Sequence, residues 1–195
     1  MMKVLIACEF SGVVRDAFKA KGHYAMSCDL LPTEREGLHY QGDVRDVIND
    51  GWDLMIAHPP CTYLSNAAAR FLYPGGVLNS ERLKLGLEAK DFFMELYNAP
   101  INKIAIENPV PSKVYGLPNE SQVIQPYYFG HPYQKKTYLW LKNLPPLLST
   151  LVCENPETTK NKHNWFNKGG VERQKNRAKT FQGIADAMAE QWGAL

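Results

Sequence analysis

Apolar residues recur along the chain in two rhythms. Residues 3–8, 24–28, 52–57 and 103–106 are short, nearly unbroken apolar runs, the pattern of strands buried on both faces. Residues 38–41 and 137–141 read as two further strands. Residues 13–21 instead follow helical spacing and stop at Gly22, a residue suited to closing a helix. Residues 81–97 carry Leu83, Leu87, Phe92, Phe93 and Leu96 at helical intervals, and residues 183–192 predict a closing helix. Strand and helix thus alternate through the first half, which predicts an α/β fold: a mostly parallel, doubly wound sheet with helices on both faces. Neither an internal repeat nor a low-complexity linker divides the 195 residues, a length that suits a single domain.

Ligands of such sheets bind beyond the carboxyl ends of the strands. Glu9, Asp29, Asp43, Cys61 and Glu107 each fall at such an end, so residues far apart in sequence are expected along one rim. In the loop Phe10-Ser11-Gly12 the glycine allows a tight turn, and the helix start beyond it is expected to offer free N–H groups to a cofactor. A plain strand-to-helix turn would use the same glycine. Asp29 suits the hydroxyls of a ribose, and Asp43, in the turn Gly42-Asp43-Val44, suits an exocyclic adenine amine. Either also suits a helix cap or a turn.

The most specific stretch is His58-Pro59-Pro60-Cys61. Two prolines directly after a buried strand stiffen the backbone and hold Cys61 in place, where its thiolate would be a nucleophile. Glu107-Asn108-Pro109 follows the run 103–106. Burying a carboxyl there is expected to raise its pKa, so that Glu107 is protonated and donates a hydrogen bond near neutral pH.

Charge adds one feature. The formal net charge is only +2, but Lys160, Lys162, Lys168, Arg173, Lys175, Arg177 and Lys179 crowd one segment in which Glu172 is the opposing charge. Such a field suits a phosphate backbone, although a solvated loop has the same composition. Four cysteines without a CxxC pair predict a reducing, cytoplasmic setting and no metal site. Residues 1–7 are too short and too weakly basic for a signal peptide, and no apolar run reaches membrane-spanning length.

Taken in order, these motifs resemble the DNA cytosine-5 methyltransferases, and most closely the short bacteriophage-encoded members that lack a large target recognition domain. Phe10-Ser11-Gly12 is similar to the first cofactor motif, Asp29 to the acidic ribose ligand, and Gly42-Asp43-Val44 to the adenine-binding turn. Pro59-Pro60-Cys61, with Ser65 four residues on, is similar to the catalytic loop. Glu107-Asn108 resembles the family's Glu-Asn-Val, with Pro109 in place of the valine. Gln134-Lys135-Lys136 resembles the basic motif that contacts the target base, with Gln134 and Lys136 where the family has arginines. Residues 180–192 are similar to the last motif, whose helix returns to the cofactor.

The resemblance implies a Rossmann-like methyltransferase fold over residues 1–195, with S-adenosyl-L-methionine as cofactor and DNA, duplex or single-stranded, as partner. It implies Cys61 and Glu107 as catalytic residues and Phe10, Ser11, Gly12, Asp29, Asp43 and Pro59 around the cofactor. Ser65, Asn108, Gln134, Lys136, Lys160, Lys162 and Lys175 fall to the DNA side. Residues 142–171 stand as a reduced recognition segment, which predicts phosphate contacts over base contacts, and residues 172–195 return to the cofactor side of a monomer. Asn164-Trp165-Phe166 suits stacking on bases or packing onto the domain. Two further readings fit the same residues. One is the same chemistry, or transfer of another group, on a free deoxycytidine nucleotide or single strand. The other is a non-catalytic DNA-binding, anti-restriction protein that keeps the fold.

Overall fold

The structure, a computed structural model, describes residues 1–158 and 172–195. Seven strands form one sheet: β1 (Lys3–Ala7), β2 (Tyr24–Asp29), β3 (His39–Gln41), β4 (Leu54–Ala57), β5 (Lys103–Pro109), β6 (Gln122–Ile124) and β7 (Thr137–Lys142). Their spatial order is β3-β2-β1-β4-β5-β7-β6. The first five strands are mutually parallel, and β7 runs antiparallel between β5 and β6. The expected mostly parallel α/β sheet is therefore present, in a Rossmann-like arrangement. The chain leaves β1 towards β2 and leaves β4 towards β5, so the direction of winding reverses between β1 and β4. A crevice at such a switch point is the usual ligand position of doubly wound sheets.

Strand alternation builds two cores. Val4, Ile6, Leu54, Ile56, Ala105 and Leu139 face α1 (Val13–Ala20) and the last helix, while Leu5, Ala7, Met55, Ile104, Ile106 and Trp140 face α2 (Ser80–Tyr97). Helices thus cover both faces. Between these two helices and the closing helix lies α3 (Glu172–Ala178), inside the basic segment, and α4 (Gln182–Gly193) follows it. Trp192 and Met188 of α4 are buried beside Val14 and Phe18 of α1, so the chain end returns to the amino-terminal half as expected.

Two boundaries differ from the sequence reading. β5 continues through Pro109, because β7 pairs with it as far as Pro109↔Thr137. Glu107 and Asn108 are therefore strand residues on opposite faces, not loop residues after a strand. The three-residue edge strand β6 was not expected; too short for a periodicity, it exists through pairing with β7. Among the described residues no helix is long and apolar enough to cross a membrane, and no cluster of His, Cys, Asp or Glu could hold a metal.

Candidate functional site

The carboxyl ends of β1, β2, β4 and β5 lie side by side, and the expected residues gather there. The register Ala57↔Ile106 brings the next residues, His58 and Glu107, abreast. His58 Nδ1 lies 2.9 Å from Glu107 Oε2, and the two side chains are 7% and 17% exposed. The His58 amide also donates to Ala7 O at 2.9 Å, carrying the sheet one residue beyond β4. Pro59 is buried, and Pro60 and Cys61 emerge at the surface.

Backbone bonds lace the Cys61 loop to the segment after β5. Asn66 N donates to Val110 O at 2.8 Å and Ser112 N to Leu64 O at 2.6 Å, while Ser65 N donates back to Cys61 O at 3.1 Å. Ser65 bridges Pro111 in the same lace. The two motifs are thus held together by main-chain geometry. Ser65 contributes to that scaffold.

The electrostatics of the site couple five side chains: Cys61, Glu107, His58, Lys135 and Arg177. The local desolvation of the Cys61 sulfur raises its pKa, the Glu107 carboxylate raises it further, and Lys135 and Arg177 pull it down; the net direction is up. For Glu107, burial pushes the carboxyl up, but the hydrogen bond to His58 and the charge of Lys135 outweigh it, and the net direction is down. This corrects the expectation of a protonated Glu107: the acid is buried, but beside donors. Lys135 is in turn lowered, first by burial and then by Arg177, against the pull of Glu107 and Cys61. Its Nζ donates to Arg177 O at 2.8 Å and lies 5.7 Å from the centre of the Phe181 ring. A small pocket below is lined by Glu107, Lys135, Thr137, Thr180 and Phe181.

Lys135, not Lys136, is therefore the lysine of the site. Lys136 is exposed, with its Nζ over the Tyr138 ring. Gln134 is half-buried, and its amide bonds Glu157 O at 2.8 Å. Asn108 is 1% exposed, and among the described residues neither its side-chain oxygen nor its nitrogen has a hydrogen-bond partner. Lys175 is exposed on α3, while Lys160, Lys162 and Asn164-Trp165-Phe166 lie outside the described residues. Lys179 is occupied by an ion pair with Glu34 at 2.7 Å. Among the described residues of the basic segment, Arg177 reaches Cys61 electrostatically.

At the β1 end the expected free helix N-terminus is already filled. Glu9, 4% exposed, accepts from the Val14 amide at 2.7 Å, the Arg15 amide at 3.2 Å and Ser11 Oγ at 3.1 Å. Its carboxylate thus satisfies amides that α1 would otherwise leave open. Gly12 has φ +72°, as expected of its turn; a Cβ there would meet the Arg15 guanidinium at 2.6 Å. Arg15 is fully buried and bonds Ser27, Thr33 and the carbonyls of Arg35 and Glu36. That network fixes the β2–β3 connection over the Phe10-Ser11-Gly12 loop, in which Phe10 and Ser11 are buried.

Asp29 is half-buried at the end of β2. Oδ1 accepts from the Leu31 amide at 2.9 Å. Burial raises its pKa, partly offset by Leu31, His39, Leu30 and His58. Asp43 is different: it caps a 3₁₀ turn through the Arg45 amide at 3.0 Å and pairs with the Arg45 guanidinium at 3.1 Å. Arg45 is also bound by Glu95 at 2.7 Å. The cap and ion pair engage both Asp43 oxygens.

His58 carried no assigned role in the sequence reading, and Lys135 and Arg177 entered it only as members of the basic motif and of the basic segment. A signal for His58 was available: it follows its strand at the same step as Glu107 follows residue 106, so parallel neighbours bring them together. Compared with protein-family models and with curated proteins, the chain matches none.

Proposed function

We propose that this protein is a DNA cytosine-5 methyltransferase, with Cys61 as nucleophile and Glu107 as the group that meets ring nitrogen 3. The observation that carries this reading is the convergence, from β4 and β5, of an exposed cysteine and a buried carboxylate on one rim, flanked by Lys135 and Arg177. Attack at carbon 6 of cytosine needs a thiolate, and negative charge then grows on the ring at nitrogen 3. Glu107 holds His58 through Oε2 and leaves Oε1 for the base. A proton shared between that oxygen and nitrogen 3 neutralises the developing charge, and carbon 5 becomes nucleophilic. Loss of the carbon 5 proton and departure of Cys61 restore the ring.

S-adenosylmethionine, when bound, supplies the methyl group that carbon 5 takes. The structure fits it in part. Asp29, half-buried at the carboxyl end of β2, suits the ribose, while Phe10, Ser11, Gly12 and Pro59 belong to the same rim and are buried. The α1 amides are committed to Glu9, and Asp43 is committed to Arg45, so neither is free to hold the donor. Arg177 beside Cys61 supports a polymeric phosphate substrate over a free nucleoside, and a base inside a duplex must leave the stack to be reached. Incubation with S-adenosylmethionine and deoxycytidine nucleotide, single-stranded DNA or duplex DNA, followed by nucleoside mass spectrometry, tests the reading. 5-Methyldeoxycytidine is expected from DNA with the wild type and none with Cys61→Ser; none from any substrate with the wild type overturns it.

A further inference from the structure

His58 is buried at the end of β4 with one nitrogen bound and the other orphaned. Nδ1 faces the Glu107 carboxylate at 2.9 Å, and because a carboxylate oxygen accepts, Nδ1 is the donor of that bond. Nε2 is buried, and among the described residues no hydrogen-bond partner reaches it. An unpaired buried nitrogen is an arrangement that folded proteins rarely keep without a use. The use visible on this rim is the bond that the other nitrogen makes.

We propose that His58 is a positioning residue: by donating to Oε2 it fixes the Glu107 side chain at the rim where a pyrimidine ring would meet it. The proposal rests on the proposed reaction for its substrate, but the bond between His58 and Glu107 stands on the geometry alone. The charged groups around the three are few. Asp29, from the end of β2, acts on His58. Lys135, ahead of β7, acts on Glu107 and Cys61, and Arg177, on α3, acts on Cys61.

The consequence is a carboxylate already in place when the ring arrives. In the addition step the Cys61 S–H bond breaks, sulfur bonds to carbon 6, and the proton is taken up at nitrogen 3 through Glu107, so charge and protons balance.

The test uses the whole chain without a methyl donor. The titration of the Glu107 carboxyl is followed by carbon-13 NMR, with Glu107→Gln identifying its resonance, and exchange of the cytosine carbon 5 hydrogen of an oligonucleotide is followed in D₂O. Removing the donor in His58→Leu leaves burial to act on Glu107, so its titration midpoint is expected to rise by at least about one unit. His58→Gln, whose amide can still donate, is expected to stay near wild type. Carbon 5 exchange should fall at least tenfold in His58→Leu, and adding His58→Leu to Glu107→Gln should change exchange no further; this separates coupling from a loosened fold. An unmoved Glu107 titration in His58→Leu, or an equal fall in exchange on the Glu107→Gln background, overturns the proposal. A Glu107 shift in His58→Leu with no exchange by the wild type overturns the proposed reaction and leaves the His58 bond standing.

Discussion

Cys61 is exposed, yet its thiol is pushed above the ordinary cysteine value by local desolvation and Glu107, with Lys135 and Arg177 opposing. The two cations therefore control how much thiolate exists before any substrate binds. Replacing Lys135 by Met removes one opposing charge, so the thiol should move further up. Alkylation of Cys61 at pH 8 should slow by roughly two- to tenfold, a shift of up to one unit; an unaltered rate would mean that Lys135 does not act on the sulfur. Asp29 makes the opposite kind of statement. Burial raises its folded-state pKa, so its ionisation costs stability: the cost is absent below the unfolded value of about 3.9 and is complete once pH has risen through the folded value. Asn keeps the acceptor for the Leu31 amide without the charge. Asp29→Asn should match wild-type thermal stability at low pH and exceed it at pH 7, while calorimetry shows weaker S-adenosylmethionine binding. Lower stability at pH 7 would remove the case for a strained ligand residue.

Elements carry the site through close approaches that single residues do not reveal. α1 is anchored at both ends of its first turn, by Glu9 on its amides and by Arg15 on the β2–β3 connection. α4 is seated by a glycine. Gly183 N donates to His131 Nε2 at 2.9 Å, and a Cβ on Gly183 would stand 1.9 Å from Phe129 O. Phe129 precedes Gly130 and is 3% exposed, so its carbonyl has little room to retreat. Gly183→Ala should force α4 away from the sheet and destabilise the protein by about 2 kcal/mol, the scale of overpacking a tight contact. Urea unfolding measures this directly. Because Phe181, two residues earlier at the N-cap of α4, packs on His131 and Tyr133 and lies under Lys135, the same substitution should also alter the Lys135 side of the site.

For the molecule as a whole, the basic segment is the largest asymmetry of charge. It divides into residues with different tasks: Lys179 pairs with Glu34, Arg177 reaches the Cys61 site, and Lys175 is exposed. If the segment follows DNA, each phosphate contact releases condensed counterions, and affinity falls with salt at a log–log slope of about −0.9 per contact on duplex. Neutralising Lys160, Lys162 and Lys175 together should flatten that slope by up to three contacts' worth and weaken all sequences alike. S-adenosylmethionine binding should be unaffected. Equal slopes with and without these lysines would leave the segment as a solvated surface. Arg177 must stay in such a variant, since it would change chemistry and affinity at once.

The sequence by itself determined the strands, their burial on both faces, and the gathering of Glu9, Asp29, Cys61 and Glu107 at one edge. These follow from local periodicity: a buried parallel strand reads as an apolar run, and the polar residue that ends the run marks its carboxyl end. Strand parity also decides which faces meet, and it would have paired His58 with Glu107 had it been applied across β4 and β5. Only the tertiary structure decided the state of those residues. The Glu107 carboxyl is held below its ordinary pKa because His58, just past β4, and Lys135, ahead of β7, arrive beside it. The α1 amides are closed because Glu9 folds back over them. Asp43 is a cap because Arg45 turns onto it, and Lys135 rather than Lys136 enters the site. Electrostatic and hydrogen-bond energies depend on distances in space that no one-dimensional pattern contains. Residue type and order therefore fixed where the chemistry could sit, and the packing of distant segments fixed which atoms are charged, capped or free to perform it.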